Sequence, residues 1–195
     1  MVLSRDYSDH MRVITSFDDL DPVPWVNGAG ETTELVSLAG SQALTPDRLR
    51  WRLSIARLDR PAEFSPLPGL ARTFLPIGAE VVLEIDEQVQ SVTPAAPARF
   101  RGEQKVSLVG LEDPCFALNL MVEVDDAAGA GAGAGTGAGT GAGGERDALE
   151  MSTRFTGRGL FAVSLNSVPG YARFQLLRLD EAEVLPDHFD AAVLH

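Results

Sequence analysis

Proline and glycine return at short intervals along the middle of the chain, at Pro66, Pro68, Gly69, Pro76, Gly78, Pro94, Pro97, Gly102, Gly110 and Pro114. Such punctuation favours short strands joined by turns. The segments around it agree. Trp51-Arg52-Leu53-Ser54-Ile55-Ala56 alternates apolar with polar or small residues, and Val81, Leu83 and Ile85 alternate with Glu80, Glu84 and Asp86. Across residues 116–122, Leu118, Leu120 and Val122 fall on one face and Ala117, Asn119 and Met121 on the other. Both faces are largely apolar, so this strand is expected to be covered on both sides. Helical patterns are scarce, with one turn expected over Pro46–Arg50. The class is all-β, a sandwich or barrel.

The segment Ala127–Gly144 contains only Ala, Gly, Thr136 and Thr140 and holds nine of the chain's 19 glycines. It buries too little surface to offset its backbone entropy. The organisation expected is therefore a module over 1–126, a flexible loop over 127–144 and a shorter module over 145–195. A weak repeat suits duplication: Val81-Val82-Leu83-Glu84-Ile85-Asp86-Glu87, then Val92-Thr93-Pro94, returns in style as Phe174–Glu181, then Val184-Leu185-Pro186.

Composition excludes several function classes. Sixteen basic against 28 acidic side chains in 195 residues give a net charge of −12, and Lys105 is the only lysine. That field repels a phosphate backbone, and no basic cluster overrides it locally. No apolar run approaches the roughly 20 residues that span a bilayer. The polar segment Met1–Arg12 does not read as a signal peptide. A single cysteine, Cys115, leaves no intrachain disulfide, which fits a reducing cytoplasm.

No standard catalytic motif stands out. Cys115 follows Pro114 in an apolar strand and reads as an inert core thiol. His10, His188 and His195 lack metal-ligand spacing. Gly28-Ala29-Gly30 does not follow a strand-to-helix pattern, so it is a weak dinucleotide signal. What remains is a set of polar residues on strands that otherwise look buried: Arg52 and Ser54 on one face, Asn119 mid-strand, and Arg72 after a Pro-Gly turn. A buried arginine needs a carboxylate partner or an anionic ligand. Glu34, Glu63 and Glu84 are the candidate partners. Two arginines near hydrogen-bonding groups also suit a bound carboxylate, which matches the guanidinium fork in two-point contact.

At these residues the sequence resembles the HutD/Ves family. Residues 25–34, Trp25-Val26-Asn27-Gly28-Ala29-Gly30-Glu31-Thr32-Thr33-Glu34, are similar to its W-x-N-G-x-G-x-T-x-E opening. Trp51–Ala56 resembles its W-R-x-S-x-A strand, and Phe64–Arg72 its F-S-x-F-P-G-x-x-R turn with Leu67 in place of the aromatic. Of a fourth motif, D-F-N-x-M, Asn119 and Met121 remain, with Ala117 and Leu118 replacing the acid and the aromatic. The motifs keep the family's order over residues 13–125.

The resemblance implies an RmlC-like cupin fold, a double-stranded β-helix with two β-barrel modules in one chain, the second short. It also implies a link to histidine utilisation, as a regulatory or ligand-binding protein. Metal-binding cupins carry H-x-H-x(3,4)-E and then a glycine. Laying Gly78 on that glycine puts Ser65, Leu67 and Arg72 near the ligand positions, so a cationic, hydroxyl-lined pocket is expected in place of a metal site. The expectation is then a cytoplasmic bicupin without metal or cofactor. It binds a small carboxylate of the urocanate, formiminoglutamate or formylglutamate class, and no nucleic acid or membrane.

Arg52 and Arg72 are expected to hold the carboxylate, and Ser54, Ser65 and Asn119 to hydrogen-bond the ligand. Trp25, with Asn27, reads either as a lid or as a core plug on a tight turn. Thr32 and Glu34, on one side of an extended strand, either reach the pocket or pair with Arg52. The competing classes are a bicupin isomerase, lyase or hydrolase with Glu34 as general base, and a protein-interaction module. A homodimer paired through sheet edges is the assembly the cupin resemblance suggests.

Overall fold

The structure is a computed structural model that describes residues 11–124, 147–154, 159–179, 185 and 188–195. The Gly/Ala segment and the acidic turn of the second repeat copy fall outside the described residues. In chain order the first elements are β1 (Arg12–Ser16), β2 (Val23–Pro24), β3 (Gly30–Val36), α1 (Leu38–Leu44) and β4 (Trp51–Leu58). There follow β5 (Ala62–Glu63), β6 (Leu70–Ile77), β7 (Val81–Ile85), β8 (Gln88–Val92), β9 (Ala98–Arg101), β10 (Val106–Gly110) and β11 (Cys115–Glu123). The last four strands are β12 (Met151–Ser152), β13 (Phe161–Ser164), β14 (Gln175–Arg178) and β15 (Ala191–Leu194).

These strands form three antiparallel sheets: β2-β3-β4-β11-β6-β9, β5-β10-β7-β8 and β1-β14-β13-β15-β12. The six-stranded sheet is the middle layer, and its strands alternate side chains between two cores. Ala56, Leu58, Phe74 and Ala117 pack with Val81, Leu83, Val106 and Leu108 of the four-stranded sheet. Trp51, Leu53, Ile55, Leu75, Leu118 and Leu120 pack on the other side with Met151, Phe161, Val163, Leu176 and Leu194 of the five-stranded sheet. Coverage of β11 on both faces, read from its alternation, follows from this layering. Each large side chain so buried contributes about 1.5–3 kcal/mol, which is why the central strands carry little charge.

The described C-terminal strands form one sheet, which closes its core on the back of the six-stranded sheet. Strand β1 pairs with β14, so the N-terminal end supplies the edge of the C-terminal sheet. The helical turn expected over Pro46–Arg50 is absent. The helix is instead Leu38–Leu44, where the Ser37 side chain caps it by accepting from the Gly40 N–H at 3.0 Å. The cap decides the position, because a first turn without one leaves its N–H groups unpaired. Helix α1 is tied to β4: Ser41 Oγ accepts from the Trp51 N–H at 3.0 Å, and Thr45 Oγ1 accepts from the Trp51 indole at 2.8 Å.

Candidate functional site

Residues paired across neighbouring strands point to the same side of a sheet. On the face of the middle sheet turned toward the four-stranded sheet, Met121 pairs with Arg52 of β4 and with Arg72 of β6. Two residues along, Asn119 pairs with Ser54 and with Phe74. These two rows floor an open pocket of about 540 Å³. Its walls come from Trp25, Val26 and Asn27 after β2, from Thr32 on β3, from Glu63 at the end of β5, and from Phe64, Ser65 and Leu67 before β6.

The opening motif builds the wall as a tight turn. The Gly28 N–H donates to the Trp25 carbonyl and the Trp25 N–H to the Gly30 carbonyl, both at 2.9 Å. Asn27 Oδ1 accepts from the Ala29 N–H at 3.0 Å, and Gly28 takes a φ of 64°, which favours glycine. At Gly30 an added Cβ would collide with the Arg57 carbonyl oxygen. The Trp25 indole donates to Thr32 Oγ1 at 2.8 Å and sets its ring edge-on to Phe64, centroids 6.3 Å apart. The turn reading and the pocket reading of this segment therefore both apply: Trp25 is half-buried and lines the cavity.

The two arginines differ. Arg52 is ion-paired through Nε with Glu34 Oε2, a contact without the alignment of a full hydrogen bond. Arg72 is only 9% exposed and has no ion pair among the described residues. Its Nε lacks a partner, and its Nη2 reaches Asn119 Oδ1 at 3.5 Å, the outer limit of a hydrogen bond. Its guanidinium lies 5.3 Å from the Phe64 ring centroid and 5.1 Å from that of Phe100. Such cation–π contacts offset part of the burial cost. Burial first, and then the positive charge of Arg52, lower the Arg72 pKa to about 10, which still leaves it a cation at neutral pH.

Eight of the nine candidate residues therefore meet at one cavity: Trp25, Asn27, Thr32, Arg52, Ser54, Ser65, Arg72 and Asn119. The ninth, Glu34, stands outside the lining on Arg52. Its charge is engaged there by the Arg52 guanidinium. Of the other candidate ion-pair partners, Glu63 lies at the pocket wall. Sequence reasoning missed Phe64 and Phe100 as the aromatic surround of Arg72, and Phe74 as a pocket residue packed on Phe64. Phe74 shares the strand parity of Arg72 and was legible on that ground. Phe100 arrives by the pairing of β9 with β6, which no local pattern announces.

The donor set does not suit a divalent cation. Ser65, Leu67 and Arg72 offer one hydroxyl, no imidazole and a fixed positive charge, whereas such ions take anionic or imidazole ligands. Among the described residues no three His, Cys, Asp or Glu side chains gather at a metal-binding spacing. Arg72 is instead a buried guanidinium with donors that no described residue takes up, next to Ser54 and Asn119, and its fork has the geometry to receive an anion.

The HutD family model matches residues 18–181. No curated protein gives a significant match. Among solved structures, the chain is similar to HutD from Pseudomonas fluorescens SBW25 at 23% sequence identity. That likeness covers 95% of this chain and 97% of that one, with a TM-score of 0.60. It is also similar to a conserved protein of unknown function from Pseudomonas aeruginosa PAO1, at 18% identity over 94% of this chain and 95% of that one, with a TM-score of 0.63. At these identities the likeness is one of fold. No helix among the described residues is long and apolar enough to cross a membrane.

Proposed function

The chain belongs to the HutD family, and on that premise we propose that it binds a small carboxylate in the pocket of its N-terminal half. The observation that carries this reading is Arg72, a cation 9% exposed with no carboxylate partner among the described residues. A buried unpaired charge costs several kcal/mol, and an anionic ligand would repay that cost. In this reading the carboxylate sits on Arg72, with Arg52 adding charge from the neighbouring position. Ser54, Ser65 and Asn119 hydrogen-bond the remainder, and Trp25 covers it, carried on the turn that Asn27 closes and held by its indole bond to Thr32. Glu34 positions Arg52.

The ligand class is urocanate, formiminoglutamate or formylglutamate, small acids with planar polar groups. The role is regulatory, the sensing or buffering of a histidine-breakdown intermediate in the cytoplasm, by a bicupin paired with a second copy through sheet edges. Light scattering after size exclusion tests the pairing.

Isothermal calorimetry on metal-stripped protein tests the binding, with the three acids and a sugar phosphate as control. Saturable binding of one acid, lost in Arg72→Met, is the expected result. Equal affinity in the variant, or binding that needs added metal, would overturn the reading. Turnover of any of the three acids would favour the catalytic alternative.

A further inference from the structure

A second cleft lies at the other end of the strands that floor the pocket. Strands β6 and β11 run from the Arg72–Met121 pair to the Ile77–Phe116 pair. Beyond them, Pro76–Gly78 border an open cleft of about 660 Å³, within the range of small-molecule sites, roughly 300–1,000 Å³. It carries two guanidinium groups, Arg154 and Arg173, against one carboxylate, Asp190. Among the described lining residues the balance is one positive charge, in a chain that is strongly negative overall. Among the described residues neither arginine has an ion pair.

Arg173 is fixed rather than loose. Its Nε donates to the Leu165 carbonyl at 3.0 Å and its backbone N–H to Ser167 Oγ at 3.2 Å. Its guanidinium lies 4.3 Å from the Phe174 ring centroid and 5.3 Å from that of Phe116. Phe174 has a φ of 64°, an unfavourable conformation for a bulky aromatic residue. It is held there by a 2.8 Å bond from its N–H to the Ser164 carbonyl and by the rings of Phe17 and Phe116. Backbone strain of this kind persists where the surroundings over-determine it, and it gathers at ligand sites. Here it sets the stem of an arginine whose Nη atoms hydrogen-bond to no described residue.

We propose that this cleft is a second anion site, which takes a small organic carboxylate with an apolar body. The carboxylate lies on Arg173 and Arg154, and the body lies against Leu165, Leu185 and Phe189. The fixed fork supplies direction and the exposed Arg154 supplies added charge. The site is separate from the Arg72 pocket and stands whether or not that pocket holds its own ligand.

The test is a ¹H–¹⁵N titration of the full chain with benzoate, followed at the Gly78 and Ala191 amides. Saturable shifts are expected there. They should weaken about tenfold or more in Arg154→Gln, an exposed position, as expected for loss of a charge-assisted contact. They should vanish in Arg173→Met and persist in Arg72→Met. If Arg173→Met loses its native spectrum, Arg154→Gln decides. No saturable shift at these amides, or shifts indifferent to Arg154→Gln, would overturn the proposal. Equal saturation by inorganic phosphate would overturn the apolar-body part of it. Loss only in Arg72→Met would assign the binding to the first pocket and overturn the second site.

Discussion

Arg52 and Arg72 stand on one register row of the middle sheet with Met121 between them, yet among the described residues only Arg52 has a carboxylate. Their Cα atoms are roughly 9–10 Å apart, two strand spacings, so each guanidinium feels the other. Glu34 relieves Arg52 from the adjacent strand β3. Arg72 bears the penalty, and the lowering of its pKa to about 10 reflects burial first and its neighbour second. An arrangement that leaves the deeper of two cations unpaired favours an anion over the empty state.

Arg72→Met should therefore separate stability from binding. Methionine keeps the apolar stem and removes the buried charge, so the variant is expected to be more stable than wild type by about 1–3 kcal/mol, as found when buried ionic groups give way to apolar ones. It should lose carboxylate binding at the same time. Urea unfolding with and without ligand checks both halves. A variant less stable than wild type would mean that Arg72 holds the fold rather than a ligand.

Binding through Arg72 also has a defined pH dependence. With a folded-state pKa of about 10, the receptor is fully cationic at neutral pH, and affinity should stay level up to about that value. Above it, Arg72 must regain its proton to bind, so affinity should fall by as much as tenfold per pH unit. The unfolded chain keeps its proton to higher pH, so this group's contribution to stability rises as pH passes 10. Calorimetry from neutral pH to pH 11 would show the bend. A decline already complete near neutrality would assign recognition to another group.

The two tryptophans report different places. Trp25 lines the pocket, whereas Trp51 is fully buried in the opposite core with its indole on Thr45. A ligand in the N-terminal pocket should change the fluorescence of wild type and of Trp51→Phe but leave Trp25→Phe unchanged. Trp51→Phe should also lose about 1–2 kcal/mol of stability, since Thr45 loses its partner and the core loses volume. A ligand response that persists without Trp25 would remove that residue from the site.

The class of the fold and most of the pocket were legible because strand parity is a local property. Arg52 and Ser54 oppose Trp51, Leu53 and Ile55 in the sequence, and they oppose them across the sheet. What stayed hidden depends on distant pairing. That Arg52 and not Arg72 takes Glu34 follows from the register of β3 against β4, which shifts between Glu34 and Val36. Phe100 reaches Arg72 only through β9. The helix was misplaced because Ser37 was not read as a cap, and a seven-residue helix offers little periodicity of its own. The C-terminal half resisted reading for a related reason: its sheet borrows β1 from the other end of the chain.

A last prediction concerns the β7–β8 hairpin, part of the sheet that faces the pocket. Ile85 pairs with Gln88, which leaves a two-residue loop in which Asp86 and Glu87 have φ values of 46° and 68°. Positive φ at both positions is the geometry that matches strand twist in such hairpins, and it favours Asn, Asp and Gly. Asp86 has a compensation. Its carboxylate accepts from the Lys105 N–H at 3.0 Å and from Gln104 Nε2 at 2.6 Å, while its own N–H donates to the Lys105 carbonyl. Glu87 is exposed and makes no hydrogen bond or ion pair to a described residue, so its strain is uncompensated. Glu87→Gly should raise stability by roughly 0.5–1 kcal/mol, the left-handed penalty removed less the entropy that glycine adds to the unfolded chain. Asp86→Ala should lower it by about 1–2 kcal/mol through lost hydrogen bonds and retained strain. Urea midpoints at constant m-value measure both. A destabilised Glu87→Gly would show that the loop is held by something other than its backbone geometry, whereas the expected pair of opposite shifts would place the hairpin's stability in Asp86 alone.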